Sequence, residues 1–379
     1  MVISIIAGAR PNFMKIAPII EAIELQKKKG IEINYRLIHT GQHFDKNMSG
    51  SFFEELSIPE PDLNLECGSG SHAEQTSQIM MKFEKDLLEH KADLVLVVGD
   101  VNSTMACAIV AKKLQVRVAH VEAGLRSFDF SMPEEINRIV TDSIADYFFT
   151  TSQYANENLR KAGIKDDVIF FVGNTMIDTL LKNLPRLKQP DIWTGVGLQA
   201  KQYFVITLHR PVNVDEESKL KELLTEIVNN VDNLPIIFPV HPRTAKILST
   251  LGLDAPNLYL IEPMGYLEFN HLVKYAKAVI TDSGGITEET TVMGVPCFTL
   301  RDSTERPETI TQGTNKLIGT NPKSIKPALE KLFDGKCKKG SIPELWDGKS
   351  GERIIKHLCE IFSIEHANEN LFKDLSLRH

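Results

Sequence analysis

The apolar residues of this chain follow two alternating spacings. Short runs rich in Val and Ile, such as residues 2–7 and 278–281, have the length and composition of buried strands. Between such runs, apolar residues recur at positions i, i+3, i+4 and i+7, as in residues 16–23, which is the pattern of one helix face. This alternation predicts parallel, doubly wound sheets, and the wholly apolar strands predict that helices cover both faces of each sheet.

The pattern occurs twice along the chain. It runs through residues 1–183 and restarts near residue 203, and the segment 184–197 holds two prolines and two glycines, as a linker would. We therefore predict an α/β fold in which two Rossmann-like, doubly wound domains, 1–183 and 198–350, face a cleft. Ligands of such sheets bind beyond the carboxyl ends of the strands, so polar residues at those ends are candidates for chemistry.

Composition narrows the possible partners. The chain has 379 residues, 42% of them hydrophobic, and a formal net charge of -7, so a nucleic-acid partner is not expected. No apolar run is long enough to span a membrane and no secretory signal pattern is present, so we expect a cytoplasmic protein without a membrane partner. The cysteines form no CxxC pair and no metal-ligand spacing, which favours reduced thiols: Cys67, Cys107, Cys297, Cys337 and Cys359.

The loop 8–15 is the first candidate site, because it follows the first strand and opens the first helix. Arg10 and Lys15 lie where free backbone amides and the helix dipole already favour an anion. The loop matches neither a Walker loop nor a GxGxxG fingerprint, which disfavours both of those nucleotide sites. The alternative is a loop with two solvated cations.

Two carboxylates follow predicted strands of the first domain. Asp100 comes after the strand 93–98, and Glu122 follows the strand 116–121. Carboxylates at one sheet edge in unlike environments suit the roles of acid and base. The structural alternatives are that Asp100 lies at the cap of the next helix and that Glu122 pairs with Arg126.

Glu134 and Arg138 lie four residues apart in a helix that Pro133 opens. This spacing allows an ion pair on one helix face, and an acidic residue in the first turn also suits the helix dipole. By itself the pattern indicates no more than stabilisation of the helix.

Two strand ends of the second domain carry a histidine close to an arginine. His209 and Arg210 follow one strand, and His241 and Arg243 follow the next. These residues supply donors for a phosphate, or an acid catalyst. No third ligand stands at metal spacing, so we expect no metal site.

A later strand of the second domain passes into two glycines and a helix. The amides of Ser283, Gly284 and Gly285 can cradle a diphosphate, and Glu289, about one turn further on, can accept hydrogen bonds from a ribose diol. The alternative is an ordinary tight turn with a capped helix. Arg306, in the charged loop after the following strand, can complete the charge balance of a diphosphate.

Blocks of the sequence, in their order along the chain, resemble those of the non-hydrolysing UDP-N-acetylglucosamine 2-epimerase family. They extend over almost the whole chain: GARPNFMK, GDVNST, HVEAGLRS, PEEINR, LHR, DSGGITEE and RDSTERPE. The resemblance implies a glycosyltransferase-B-type fold that holds the nucleotide mainly in its C-terminal domain. It also implies a homodimer and a C-terminal helix, within residues 351–379, that packs back on the first domain.

The resemblance assigns roles to the candidate residues. It implies catalytic roles for Asp100, Glu122, Glu134, Arg138 and His209. It implies substrate binding by Arg10, Lys15, Phe269, Ser283, Gly284, Gly285, Glu289 and Arg306. It matches a regulatory substrate site of some bacterial members at Gln42, Arg210 and His241. The chain departs from the family at Ala9, where threonine is usual, and over residues 68–72, which replace an Arg- and Gln-containing stretch of that regulatory site.

The implied activity is reversible epimerisation of UDP-N-acetylglucosamine to UDP-N-acetylmannosamine at sugar carbon 2, for polysaccharide biosynthesis. UDP is eliminated to give a 2-acetamidoglucal and is then added back, with neither a nicotinamide nor a metal as cofactor. Four alternatives stay open: a UDP-2,3-diacetamido sugar uronate as substrate, hydrolytic release of N-acetylmannosamine and UDP, a retaining glycosyltransferase, and a non-enzymatic nucleotide-sugar sensor. The division of acid and base roles among the carboxylates stays open too.

Overall fold

A computed structural model of the protein divides into two compact units. Unit 1 comprises Met1–Leu181 and Glu344–His379, and unit 2 comprises Lys182–Pro343. Residues 344–350 therefore belong with unit 1, and the predicted linker 184–197 belongs with unit 2 and contains a short helix. The structure describes residues 1–41, 53, 55–68, 70–240, 245, 248, 252–253 and 255–376. None of the helices described there is long and apolar enough to cross a membrane.

Unit 1 is built on a seven-stranded sheet whose paired strands are parallel. The strands are β1 (Val2–Ala7), β2 (Asn34–His39), β3 (Leu63–Asn64), β4 (Leu94–Val98), β5 (Arg117–Val121), β6 (Tyr147–Thr150) and β7 (Ile169–Phe171). Their order in the sheet is β3-β2-β1-β4-β5-β6-β7. Every residue of β4 is buried, so both faces of the sheet are covered there, as its wholly apolar sequence predicts.

Unit 2 repeats this plan with six parallel strands. They are β8 (Phe204–Thr207), β9 (Ile236–Pro239), β10 (Leu258–Ile261), β11 (Ala278–Thr281), β12 (Cys297–Thr299) and β13 (Asn315–Leu317). Their order is β10-β9-β8-β11-β12-β13, the doubly wound order. The predicted α/β class with two parallel, doubly wound sheets is therefore confirmed.

Helices connect the strands of both units. Those described are α1 (Arg10–Lys28), α2 (His72–Glu89), α3 (Asn102–Lys113), α4 (Pro133–Ile144), α5 (Gln153–Lys161), α6 (Thr175–Asn183), α7 (Asp191–Val196), α8 (Pro211–Val214), α9 (Glu217–Asn229), α10 (Tyr266–Tyr275), α11 (Gly284–Met293), α12 (Pro307–Thr311), α13 (Ile325–Phe333) and α14 (Ser350–Ser376). Pro133 stands at the start of α4, where its missing N–H costs no helical hydrogen bond.

Each sheet has one topological switch point. There, the chain runs from one strand towards one edge of the sheet, and from the neighbouring strand towards the other edge. In unit 1 it lies between β1 and β4, and in unit 2 it lies between β8 and β11. The loops after these strands diverge, so a crevice opens at the carboxyl ends of the strands. Most of the candidate residues follow these four strands or their neighbours, and the sheet order brings them together from distant parts of the sequence.

The C-terminal segment returns to unit 1 through buried contacts. Trp346 is 2% exposed, and its Nε1 donates to the Thr151 carbonyl at 3.1 Å. The Gly351 amide donates to Asp178 Oδ2 at 2.8 Å, and burial raises the pKa of Asp178 to about 6. A Cβ at Gly351 would lie 2.5 Å from the Pro18 carbonyl oxygen of α1, so α14 can approach α1 this closely only with glycine here.

Trp346→Ala should destabilise unit 1, because it removes a buried indole and leaves the Thr151 carbonyl without this donor. We expect the free energy of unfolding to fall by about 3–5 kcal/mol in urea titrations followed by circular dichroism. Lys349→Ala, an exposed change in the same segment, should cost less than about 0.5 kcal/mol. Equal losses in the two variants would contradict an anchoring role of Trp346.

Candidate active site

Glu122 and Lys15 form a buried ion pair at the carboxyl end of the unit 1 sheet. Glu122 Oε2 accepts from Lys15 Nζ at 2.8 Å, and the two side chains are 2% and 12% exposed. The partners are 107 positions apart in sequence and meet because β1 lies beside β4, and β4 beside β5. A carboxylate buried this deeply requires a compensating partner, which explains how Glu122 can follow an apolar strand.

The backbone around this ion pair adopts uncommon conformations. Glu122 has a φ of 69°, in the left-handed region that residues other than glycine rarely enter. Gly99, at the end of the neighbouring strand, also has a φ of 69°, and a Cβ there would lie 3.0 Å from Lys15 Nζ. Left-handed residues of this kind cluster at functional sites, where the surrounding structure holds them in place.

Asn12 fixes the loop that leads into α1. Its Oδ1 accepts from the amides of Gly8 and Ala9 at 3.1 and 2.9 Å, and its Nδ2 donates to the Val98 carbonyl at 3.1 Å. The side chain therefore ties the loop after β1 to the end of β4. The loop keeps a defined shape with Ala9 where the family usually has threonine, and α1 presents Lys15 to the sheet edge.

Asp100 belongs to a second charged cluster, centred on Arg138. Asp100 Oδ2 accepts from Arg138 Nη1 at 2.5 Å, and the side chains are 30% and 1% exposed. Glu135 Oε2 accepts from Arg138 Nη2 at 2.7 Å, and the Glu135 carboxylate also accepts from the amides of Ser127 and Phe128 at 2.9 and 3.0 Å. Burial favours the protonated form of Glu135, but these donors outweigh it and the pKa of Glu135 is lowered.

The local alternatives considered from the sequence are wrong for two residues. Arg126 donates to Asp142 Oδ2 at 2.6 Å, whereas Glu122 has Lys15 as its ion-pair partner. The N-cap of α3 is Val101, and Asp100 lies before it. The two predicted carboxylates are therefore placed by contacts between distant segments and not by helix capping or an i, i+4 pair.

Unit 1 thus presents carboxylates in unlike environments. Glu122 is almost fully buried beside an ammonium group, Asp100 is partly exposed beside a guanidinium group, and Glu134 is half-buried in the first turn of α4. Carboxyl groups held in such different surroundings can divide the tasks of general acid and general base.

Asp282 organises the matching edge of unit 2. The carboxylate is fully buried and accepts from the amides of His209 and Arg210 at 3.1 and 3.0 Å, from Asn213 Nδ2 at 3.1 Å, and from His209 Nδ1 at 2.8 Å. These donors outweigh the effect of burial, and the pKa of Asp282 is lowered. The His209 side chain remains 63% exposed, so Asp282 orients a ring that is accessible to a ligand.

The N-terminus of α11 follows directly after Asp282 and Ser283. Thr281 Oγ1 accepts from the Ser283 amide at 2.9 Å, and Gly284 and Gly285 form the first residues of this ten-residue helix. The first amides of a helix have no partners within it, and the helix dipole favours an anion at this end. A Cβ at Gly284 would lie 2.7 Å from Glu305 Oε1, so the neighbouring loop packs closely against the glycine.

Glu289 lies further along α11 in a buried polar environment. Tyr266 Oη donates to Glu289 Oε1 at 2.8 Å, and Glu289 is 4% exposed. Burial raises the pKa of Glu289 to about 7, although the tyrosine hydroxyl favours the carboxylate. Phe269 is half-buried on α10, the helix that also carries Tyr266. An acidic group and an aromatic ring are therefore supplied by two neighbouring helices.

Arg306 forms a buried ion pair with Glu288, and the two side chains are 8% and 1% exposed. A second pair in the same loop joins Arg301 Nη2 to Glu305 Oε2 at 2.7 Å. The loop after β12 thus carries two cations whose positions are set by neighbouring carboxylates.

Part of the predicted site lies outside the described residues, namely Gln42, His241 and the side chain of Arg10. Arg210 is described, and its Nε donates to the Asp282 carbonyl at 3.0 Å. Within residues 68–72, Ser71 caps α2, because its Oγ accepts from the Glu74 amide at 3.2 Å and the Glu74 carboxylate accepts from the Ser71 amide at 2.9 Å. Ser71 therefore serves to begin this helix.

The sequence interpretation missed the buried partners of the predicted residues, namely Glu135, Asp282, Tyr266 and Glu288. Asp282 had a local signal, because a carboxylate that directly follows an apolar strand needs partners. The others lie within helices, where the sequence pattern explains burial without identifying what each side chain contacts.

Glu289→Gln should stabilise the ligand-free protein at alkaline pH. The folded protein holds the Glu289 proton up to about pH 7, whereas the unfolded chain releases it near the ordinary pKa of 4.5, so the stability of the parent falls as the pH rises between these values. Glutamine has no proton to lose, and the variant should exceed the parent by up to about 3 kcal/mol at pH 8 in urea unfolding.

The advantage of Glu289→Gln should shrink towards pH 5, where the parent side chain is protonated as well. Glu262→Gln, at an exposed position of unit 2, is the control and should show no such pH dependence. A stability difference between Glu289→Gln and the parent that is the same at both pH values would contradict the raised pKa.

The chain resembles known proteins over most of its length. Residues 23–359 match the family model described as UDP-N-acetylglucosamine 2-epimerase. A protein of that name from Methanocaldococcus jannaschii is 44% identical, with 94% of this chain and 99% of the relative covered. UDP-2,3-diacetamido-2,3-dideoxy-D-glucuronate 2-epimerase from Pseudomonas aeruginosa is 40% identical, with 95% and 100% covered.

Among solved structures, the Methanocaldococcus jannaschii UDP-GlcNAc 2-epimerase in complex with UDP-GlcNAc and UDP matches with a TM-score of 0.85 and 44% identity. The match covers 95% of this chain and 100% of that chain. The family model and the relatives agree with the resemblance carried by the sequence blocks. The chain belongs to the UDP-N-acetylglucosamine 2-epimerase family.

Proposed function

We propose that this protein interconverts UDP-N-acetylglucosamine and UDP-N-acetylmannosamine by inverting sugar carbon 2. The observation that carries the proposal is the pairing of two carboxylates with cations at one sheet edge, Glu122 with Lys15 and Asp100 with Arg138. The relative that shares 44% identity bears the name of this activity, and its crystal structure holds UDP-GlcNAc and UDP.

The first half-reaction is an elimination. A carboxylate removes the proton from carbon 2, the C–H electron pair becomes the carbon 1–carbon 2 double bond of 2-acetamidoglucal, and UDP leaves with the electron pair of the carbon 1–oxygen bond. The carbon 2 proton is weakly acidic, so the reaction depends on stabilising the charge that develops on the departing UDP.

The second half-reaction adds UDP back. A carboxylic acid protonates carbon 2 on the opposite face, and a phosphate oxygen of UDP forms the bond to carbon 1. Asp100, Glu122 and Glu134 are the groups for these proton transfers, and Arg138 and Lys15 hold two of them in place. Substrate and product stand at the same oxidation level, so the reaction needs no redox cofactor.

Unit 2 supplies the groups that bind UDP. The helix N-terminus at Ser283, Gly284 and Gly285 and the exposed ring of His209 suit the diphosphate, because they offer donors to an anion. Glu289 accepts from the ribose hydroxyls and Phe269 flanks the uracil. Further cations are proposed to contact the substrate, namely Arg10 and Lys15 of α1 and Arg306 after β12.

The protein works as a homodimer in the cytoplasm and provides an amino-sugar donor for polysaccharide biosynthesis. The five cysteines are free thiols, which fits a reducing compartment. On α2, Met81 and Leu88 are 65% and 62% exposed and lie two turns apart on one helix face, with the exposed Glu84 and Lys85 between them. We propose that these two apolar side chains contact a second copy of the chain.

Light scattering of the purified protein should give twice the mass of one chain. The double substitution Met81→Glu and Leu88→Glu replaces both apolar side chains of this helix face with charges and should reduce the mass to that of one chain. Ile31→Glu, at a position 42% exposed between α1 and β2, should leave the dimer intact. A dimer that survives the double substitution would exclude α2 as the interface, and a monomeric parent would exclude the dimer.

Asp100→Asn and Glu122→Gln should lower the rate of turnover by about 10²–10⁴-fold, because each removes a group proposed to transfer a proton. The affinity for UDP should stay within about threefold of the parent, since UDP binds to residues of unit 2. Asp146→Asn is the matched control. Asp146 is 30% exposed, as Asp100 is, and it is paired with a cation, Lys112. It lies before β6, however, and not after the carboxyl end of a strand. Its turnover should remain close to that of the parent.

The assay is proton NMR of the protein with UDP-N-acetylglucosamine in heavy water. Deuterium at carbon 2 and a stable mixture of two UDP sugars are the expected result. Free N-acetylmannosamine with UDP would show a hydrolysing enzyme, and an unchanged spectrum would overturn the proposed substrate. Parent-like rates in both Asp100→Asn and Glu122→Gln would overturn the assignment of the catalytic carboxylates.

A further inference from the structure

His120 is completely buried beneath the candidate active site and contacts an acceptor with each ring nitrogen. Nδ1 lies 2.7 Å from Asp142 Oδ1, and Nε2 lies 2.9 Å from the Gly99 carbonyl oxygen. A carbonyl oxygen can only accept, so Nε2 donates to the Gly99 carbonyl, while Nδ1 faces the Asp142 carboxylate. The ring thus lies between two turns of the sheet edge.

The contact with His120 gives the Gly99 carbonyl a hydrogen-bond donor that the strand ladder does not supply. The β4–β5 ladder continues to the Gly99 amide, which donates to the Val121 carbonyl at 3.0 Å. The left-handed φ of 69° at Gly99 then turns its carbonyl out of the ladder, and a buried carbonyl requires a donor from elsewhere. His120 Nε2 is that donor, and the peptide it holds is the one that joins Gly99 to Asp100.

Asp142 extends the same chain of hydrogen bonds to the turn after Glu122. Its Oδ2 accepts from the Gly124 amide at 3.0 Å and from Arg126 Nη1 at 2.6 Å. Glu122 lies between His120 and Gly124 in the sequence. One buried network therefore connects the Gly99–Asp100 turn with the turn that carries Glu122.

We infer that His120 is a positioning residue for epimerisation, which fixes the Gly99–Asp100 peptide through its Nε2 and thereby sets the Asp100 carboxylate relative to Glu122. The inference rests on the proposed catalytic roles of these two carboxylates. His120 touches neither the substrate nor the reacting atoms. Its contribution is geometric, because misplacing a catalytic group by about 1 Å can cost about 10²-fold in rate.

Two amide substitutions separate the contacts of the ring. The amide nitrogen of asparagine coincides with the histidine Nδ1 position, so His120→Asn keeps a donor for Asp142 and loses the one for Gly99. The amide nitrogen of glutamine coincides with Nε2, so His120→Gln keeps the Gly99 contact and loses the Asp142 contact. Both variants are neutral, which leaves the position of the donor as the main difference between them.

We expect His120→Asn to lower kcat by about 10²-fold and His120→Gln to lower it by less than about tenfold, with KM for UDP-N-acetylglucosamine within about threefold of the parent in both. Stability should follow the reverse order. His120→Gln deprives a carboxylate of its donor and His120→Asn deprives only a carbonyl, so Tm should be lower for His120→Gln.

A purely structural role of His120 would make the less stable variant the less active one. A kcat of His120→Gln equal to or below that of His120→Asn would therefore overturn the inference. If His120→Asn does not fold, His120→Gln decides alone: a loss below tenfold in kcat supports the positioning role, and a larger loss overturns it. UDP binding by each variant reports whether unit 2 is folded. The parent protein in the same assay tests the proposed function separately, because absence of turnover in the parent would overturn both proposals.

Discussion

A carboxylate can be buried only beside groups that compensate its charge, and this constraint shapes the strand ends of both units. In unit 1, Lys15 of α1, the helix after β1, meets Glu122, and in unit 2, His209 after β8 meets Asp282. In each case the two partners come from opposite sides of the topological switch point. The sheet order that opens a ligand crevice therefore also supplies the donors that allow an acidic group to be buried in it.

The same interactions hold an unfavourable backbone in place. A left-handed residue other than glycine costs on the order of 1–3 kcal/mol, and Glu122 is such a residue. Its amide and that of Ala123 both donate to the Phe149 carbonyl, at 3.0 and 3.1 Å, while the side chain is fixed by Lys15. Backbone and side chain are thus constrained from two sides, and the orientation of the carboxylate is fixed without a ligand, which would lower the entropic cost of the proposed proton transfer.

The sequence predicted local features of the site well and long-range partners poorly, and the reason is physical. Strand ends and helix starts are encoded by neighbouring residues, so Lys15, Asp100 and Glu122 could be assigned to one sheet edge. The partners considered from sequence stood four positions apart, as in Glu122–Arg126, whereas Glu122 binds Lys15 across 107 positions. Which residues meet across such distances depends on the order of strands in the sheet, and the alternation of strands and helices does not determine that order.

The acidic groups differ in their surroundings in a way that matches the proposed chemistry. Glu135 lies beside the Arg138 guanidinium and two amides, Asp282 lies beside the His209 ring and two amides, and the pKa values of both carboxyl groups are lowered. Glu289 has a neutral phenol beside it, and burial raises its pKa to about 7. Hydroxyl groups that donate to Glu289 favour its ionised form, so the proposed binding of a ribose there and loss of the Glu289 proton would strengthen each other. Glu122 and Asp100, by contrast, have their cationic partners before any ligand binds.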